Sequence, residues 1–153
     1  MIEAPEIIHI SKTQTALIPI SAPQTEIRQA MGAGIRELID ALSAQQVMPA
    51  GPRFTHHLHR PSAQWDFEIC VPVSCLMKTV GRVINGQRPA MRVARAVHHG
   101  AYEGLGNAWG ELLGWMRARE LQPTEDLWEG YIVGPEDAAD PGDWRTELLQ
   151  PLR

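Results

Sequence analysis

The chain is short of most features that mark secreted, membrane-spanning or nucleic-acid-coating proteins. Its 153 residues include two cysteines, Cys70 and Cys75. Two are too few for a disulfide framework and lack the paired spacing of a zinc site. No apolar run approaches the length of a membrane span. The opening Met1-Ile2-Glu3-Ala4-Pro5-Glu6 has no basic region followed by an apolar stretch, so no signal peptide is read there. A reduced, cytoplasmic protein is the expectation. Positive charge is not in excess: the formal net charge is −4, which gives no bulk attraction to nucleic acid. Phenylalanine and tyrosine are scarce, two of each against five tryptophans, and a Trp-rich set suits either a core or an aromatic pocket. The size fits a single domain, residues 1–153, with a core of its own.

What the chain does have is a repeat. Trp144-Arg145-Thr146-Glu147-Leu148-Leu149-Gln150-Pro151 and Trp65-Asp66-Phe67-Glu68-Ile69-Cys70-Val71-Pro72 both read W-x-x-E-x-x-x-P, seventy-nine residues apart. At the same spacing Ala16–Ala22 falls on Arg95–Ala101, and Gly51 on Gly130. A unit this long, given only twice, is not a solenoid repeat. Two half-domains packed as a pseudo-dimer are expected, with a central cleft between them, the kind of groove in which small ligands bind.

The elements repeat in the same order. Ile7–Ile10 and Ala16–Ile20 read as strand, and residues 25–46 as an amphipathic helix, with Thr25 as N-cap and Ile27, Met31, Ile35, Leu38 and Leu42 on one face. Arg53–Arg60 and Trp65–Val73 read as strands. Residues 74–90 read as a linker, with Asn85-Gly86 as a turn. Met91–Val97 is strand and Tyr102–Leu121 helix, with Leu105, Trp109, Leu112, Leu113 and Met116 on one face. Trp128–Val133 and Trp144–Leu152 are strands on either side of the acidic loop Pro135–Gly142. The fold class is therefore α+β: tandem β-α-β-β modules, about 7–73 and 91–152, forming an antiparallel sheet backed by two helices.

Strand alternation places Glu129, Tyr131 and Val133 on one face and Trp128, Gly130 and Ile132 on the other. If the second helix covers the Trp128 face, Glu129 faces the groove. Burial would raise its pKa until a cationic partner arrives. Tyr102 either orients a ligand and donates a proton, or packs as a first-turn tyrosine. Trp65 with Phe67, and Trp144 with Thr146, share strand faces, so the two tryptophans would be opposite aromatic walls for a planar cation or else core. Glu68 and Glu147 lie on the other face and read as structural or solvated, not as cleft acids. In His56-His57-Leu58-His59, His57 and His59 point the same way, but nothing adds the remaining ligands of a metal. An exposed polar strand face is expected there, with no metal and no cofactor. Met31-Gly32-Ala33-Gly34 is not a phosphate loop. Gly106, Gly110 and Gly114, four apart on the second helix, suggest close approach by another helix, a ligand or a second subunit. Close packing within the fold is the favoured reading.

The ordered set His98-x-Gly100-x-Tyr102, a Trp-bearing helix, Trp128-Glu129-x-Tyr131, an acidic loop and Trp144-x-Thr146-Glu147 running to Pro151-Leu152 resembles the GyrI-like domain. This is the small-molecule-binding domain of bacterial multidrug-responsive transcription regulators, known also from a DNA gyrase inhibitory protein. The resemblance spans nearly the whole chain and is strongest from residue 95 onward. It implies two tandem modules around a ligand cleft that takes bulky aromatic, often cationic, compounds. A buried carboxylate in the strand after the second helix neutralises the cation, and Glu129 matches that position. Some stand-alone relatives resemble hydrolases that open cyclopropane-bearing genotoxins with a Glu and a Tyr; Glu129 with Tyr102 or Tyr131 would correspond. The regulators carry a DNA-binding module in front, whereas the pattern here starts within about ten residues of Met1. A stand-alone effector-binding or drug-sequestering protein is expected, using Glu129, Tyr131, Tyr102, Trp65, Phe67 and Trp144, with no direct nucleic-acid contact. Hydrolysis, with Glu129 and Tyr102 catalytic, and a protein-interaction role such as topoisomerase inhibition are the alternatives.

Overall fold

The computed structural model describes residues 2–153. In chain order the elements are β1 (Glu6–Ile10), β2 (Thr13–Pro23), α1 (Ile27–Ala44), β3 (Phe54–His57), β4 (Gln64–Pro72), β5 (Ile84–Arg88), β6 (Met91–His99), α2 (Leu105–Ala118), β7 (Leu127–Val133) and β8 (Arg145–Pro151). Short 3₁₀ turns, Gln24–Glu26 and Tyr102–Gly104, lead into the two helices. The fold is α+β, and the residues divide into two units: 11–90, and 2–10 together with 91–153. No helix among the described residues is long and apolar enough to cross a membrane.

In the first unit the strands run in the order β3-β4-β2-β5, all pairs antiparallel. The apolar stripe of α1 explains its place. Leu38 and Leu42 are buried, with Ile27, Met31 and Ile35 partly so, and they pack against Ile18, Ile20, Phe67 and Ile69. Gly34 lets the helix come close, because a Cβ there would stand 2.8 Å from Ile20 Cδ1 and 3.0 Å from Ile69 Cδ1. Thr25 does not cap the helix. Pro23 is extended and a 3₁₀ turn starts the helix without a side-chain cap.

In the second unit the order is β1-β6-β8-β7, again antiparallel. Buried Ala108, Trp109, Leu112 and Met116 of α2 pack on Ala94, Ala96, Leu127 and Leu148. Ala96 of β6 lies where β2 offers Ile18, and this leaves room for the indole of Trp109.

Several expectations change. β1 pairs with β6, from Glu6↔Arg95 to Ile10↔Met91, so the first strand joins the second module. Residues 74–90 are built into the first unit. Val83 and Met77 are buried in its core, and Asn85-Gly86 lies within β5 instead of forming a turn. Asn85 Nδ2 donates to Met77 O at 2.6 Å and its Oδ1 accepts from Met77 N at 3.0 Å. Glycine follows because a Cβ at residue 86 would collide with the Leu17 side chain. The repeat also slips by one residue in its first strand. Ile18 pairs with Ile69 and Ala96 with Leu148, so Ile18 answers to Ala96 and Ile20 to His98. Gly106, Gly110 and Gly114 do not pack within the fold. A Cβ at any of them would meet nothing within 4 Å among the described residues. Nor is the histidine strand an exposed polar face: His57 is 2 % exposed and stacks on Phe67 at 5.2 Å.

Two outcomes follow from this packing. Gly110→Ala adds a methyl to an exposed helical position with free space, so it should stabilise the protein by about 0.5–1 kcal/mol, read as a higher urea midpoint at unchanged slope. Burial holds the His57 pKa down to about 4, from an ordinary 6.5, with His56 and His59 adding to it. A buried histidine that resists its proton stabilises the fold fully above pH 6.5, and that stability is lost as the pH falls toward 4. The loss should reach about 3 kcal/mol over that window in denaturant titrations, and His57→Leu should flatten it. A wild-type profile level between pH 6.5 and 4 would contradict this assignment.

Candidate functional site

The site is built on one face of β7. Alternation puts Leu127, Glu129 and Tyr131 on the same side, as the sequence indicates, but α2 covers that side and not the Trp128 side. Leu127 belongs to the core under α2, and Trp109 of α2 donates its indole N–H to Glu129 Oε2 at 2.7 Å. The reason is size: Ala94 and Ala96 cannot fill the space beneath a helix unless that helix brings large side chains. Trp128, on the opposite face, is 3 % exposed.

Glu129 is half-buried. Its other oxygen, Oε1, accepts from the Tyr131 hydroxyl at 3.1 Å. Enclosure raises the carboxyl pKa, and the donors Trp109 and Tyr131, with His98 nearby, only partly counter it. The result is a carboxyl held in place by two aromatic donors and partly withdrawn from water.

Around it stand aromatic rings. Tyr102 lies between Tyr131, 5.8 Å away at 68°, and Trp144, 4.9 Å away at 38°. Trp144 is pinned by donation from its indole N–H to Ala138 O at 2.9 Å, in the loop before β8. The motif His98-x-Gly100-x-Tyr102 gains a physical meaning here. His98 Nε2 bonds Ala101 O at 2.9 Å. Gly100 takes a φ of +120°, a conformation suited to glycine. A Cβ at Gly104 would press on the His98 ring at 2.8 Å. Together these set the turn that presents Tyr102. In register, Thr146 of β8 faces His98 on one side and Tyr131 on the other.

The structure thus gathers Glu129, Tyr131, Tyr102 and Trp144 in the second unit. Trp65 and Phe67 belong to the first. Phe67 is 1 % exposed in the core beneath α1. Trp65 packs against that core and donates its N–H to Ser62 O at 3.0 Å. Trp65 and Trp144 hold matching places, opposite Ala22 and Gly100 respectively. By the same register, Thr55 and His57 answer to Glu129 and Tyr131, so the first unit has no carboxylate at the position of Glu129. Glu68 and Glu147 are structural, as read: Glu68 pairs with His56 at 2.9 Å and Glu147 with Arg95 at 2.6 Å. His59 bonds Asp66 at 2.7 Å. Trp109 is the site residue that sequence reasoning assigned to core alone; the available signal was that a buried indole needs an acceptor.

The fold is shared with proteins of known structure. The C-terminal domain of EcmrR matches with a TM-score of 0.88 at 20% identity, covering 98% of this chain and 97% of that one. EcmrR in its DNA complex matches with a TM-score of 0.86 at 22% identity, and the likeness takes in 98% of this chain but 57% of the EcmrR chain. SAV2435 bound to tetraphenylphosphonium matches at 0.71 with 9% identity over 99% of this chain and 94% of that one. A hydrolase encoded by lin2189 from Listeria innocua matches at 0.67 with 13% identity, covering 97% and 91%. At these identities the likenesses establish the fold. No curated protein matches the chain. The model of the GyrI-like small molecule binding domain matches residues 4–153, and the chain belongs to that family.

Proposed function

We propose that this small-molecule-binding domain takes bulky aromatic cations, with Glu129 as counter-charge and Tyr102, Tyr131 and Trp144 as the aromatic surface. The observation behind this is the Glu129 carboxyl itself, fixed by Trp109 and Tyr131 yet raised in pKa by its enclosure. An approaching cation would favour the ionised carboxyl that enclosure disfavours, and the ring faces add cation–π attraction. The connection from β7 to β8 carries Glu136, Asp137, Asp140 and Asp143 beside Trp144, a local negative field that favours arrival of cations. SAV2435, of the same fold, is bound to a lipophilic aromatic cation.

A second reading rests on the Tyr131–Glu129 hydrogen bond, a phenol and a carboxylate in contact. In a hydrolase, Glu129 would take a proton from water as the water oxygen bonds to a strained carbon. The carbon–leaving-group bond would break, and Tyr131 or Tyr102 would give its proton to the departing atom.

Glu129→Gln keeps the shape and removes the charge. It should weaken an aromatic cation by about 1.5–3 kcal/mol, some ten- to hundredfold, and leave a neutral isostere of the same rings unchanged in calorimetric titration. Wild-type affinity for the cation should fall with pH as Glu129 takes up its proton, and the variant should be flat over the same range. Equal cation affinities in the two proteins would remove Glu129 from the site. The same substitution should raise the melting temperature of the ligand-free protein at neutral pH. A carboxyl whose folded pKa lies above its ordinary 4.5 costs stability once ionised, so the gain should shrink as the pH approaches 4.5. Turnover of cyclopropane-bearing electrophiles by wild type, lost in Glu129→Gln, would favour the hydrolase; binding without turnover would favour the receptor.

A further inference from the structure

Two buried polar atoms beside Glu129 have no partner. Thr146 is 0 % exposed and His98 3 % exposed, and neither Thr146 Oγ1 nor His98 Nδ1 makes a hydrogen bond among the described residues. Both side chains project from the α2-covered face. His98 follows Ala94 and Ala96 by alternation, and Thr146 precedes Leu148, all three of which lie in the core under α2. They are cross-strand neighbours, and Thr146 pairs on its other side with Tyr131. Tyr102 touches the rings of both Tyr131 and Trp144, and Thr146 occupies the corner those two residues define. The aromatic group therefore sits at a polar floor that no hydrogen bond among the described residues satisfies.

The chemistry of that floor is one-sided. His98 Nε2 donates to the Ala101 carbonyl oxygen, so in the neutral ring Nδ1 is an acceptor. The Thr146 hydroxyl accepts as well as donates. Glu129, one step along the adjacent strand, is a carboxyl acceptor that takes the Trp109 N–H and the Tyr131 O–H. Three acceptors on one face, one of them charged, match a cation that carries several N–H bonds. They do not match one whose charge is buried in alkyl or aryl groups. A buried acceptor left unmade costs free energy that a ligand donor recovers.

We infer that this site selects aromatic cations with N–H donors, such as primary ammonium or amidinium groups, over quaternary ammonium or phosphonium ions, and that His98 and Thr146 set this preference. The inference rests on the cation-binding reading above and adds to it the class of cationic head. Its sign is diagnostic. An ammonium is more strongly hydrated than its trimethylated counterpart and is the harder of the two to desolvate, so a greasy aromatic pocket with a carboxylate alone would favour the quaternary ion.

The test uses two ligands with the same ring system and charge, 1-naphthylmethylammonium and its N,N,N-trimethyl derivative, titrated calorimetrically against the full chain. Wild type should bind the primary ammonium about tenfold more tightly, one charge-assisted hydrogen bond's worth. Thr146→Val, isosteric and apolar, should erase most of that preference by weakening the ammonium alone, and Thr146→Ser should restore it. His98→Leu should act in the same direction; should it unfold the chain, the threonine pair decides. Glu129→Gln should weaken both ligands alike. If both ligands bind wild type with Glu129-dependent affinity but without N–H preference, or if Thr146→Val leaves their ratio unchanged, the selectivity inference fails and the cation reading stands. If neither ligand binds, both fail.

Discussion

The second unit depends on the bond between the Trp109 indole and the Glu129 carboxylate. The ring of Trp109 fills the core that Ala94 and Ala96 leave open, and its N–H, which burial obliges to find an acceptor, finds Glu129. A single side chain therefore joins packing to chemistry. The same contact that seats α2 on its strands holds a carboxyl on the face that the helix covers. Removing the indole would cost the core its largest piece and leave the carboxylate with one donor fewer, so the seating of α2 and the state of Glu129 are coupled through one residue.

Much of this was legible from the sequence because the patterns were strong. The helical stripes of α1 and α2, the alternation in β7 and the W-x-x-E-x-x-x-P repeat each fixed an element and a facing. What failed were inferences in which tertiary contact overrules local preference. Asn85-Gly86 has the composition of a turn, but its glycine answers to Leu17 and its asparagine to the Met77 backbone. The one-residue slip between Ile18 and Ala96 could not be seen from the Trp-centred alignment, because small residues match one another at several offsets. The side of β7 that α2 covers was set by the volume left over Ala94 and Ala96, a quantity no period in the sequence reports. The polar atoms of His98 and Thr146 are visible only once every neighbour is in place.

The two units also show how a repeated module specialises. Their strand orders, helix placements and 3₁₀ entries correspond, and so do Trp65 and Trp144. At the positions of the candidate site they differ: Thr55 and His57 in one, Glu129 and Tyr131 in the other. The first unit closes its version of the site with the His57–Phe67 stack and keeps the imidazole neutral. The second places Thr146 where the first has Phe67. A threonine in place of a phenylalanine opens volume on the helix-covered face, and the rings of Tyr102, Tyr131 and Trp144 gather around it.

The connection between the matching strand pairs differs in the same sense, running from Gly134 to Trp144 between β7 and β8 and only from Leu58 to Ala63 between β3 and β4. In evolutionary terms the duplication supplied a spare. One copy could keep a short, closed and neutral design that secures folding. The other was then free to lengthen a loop, accumulate acidic residues and accept an awkward buried charge without putting the whole chain at risk.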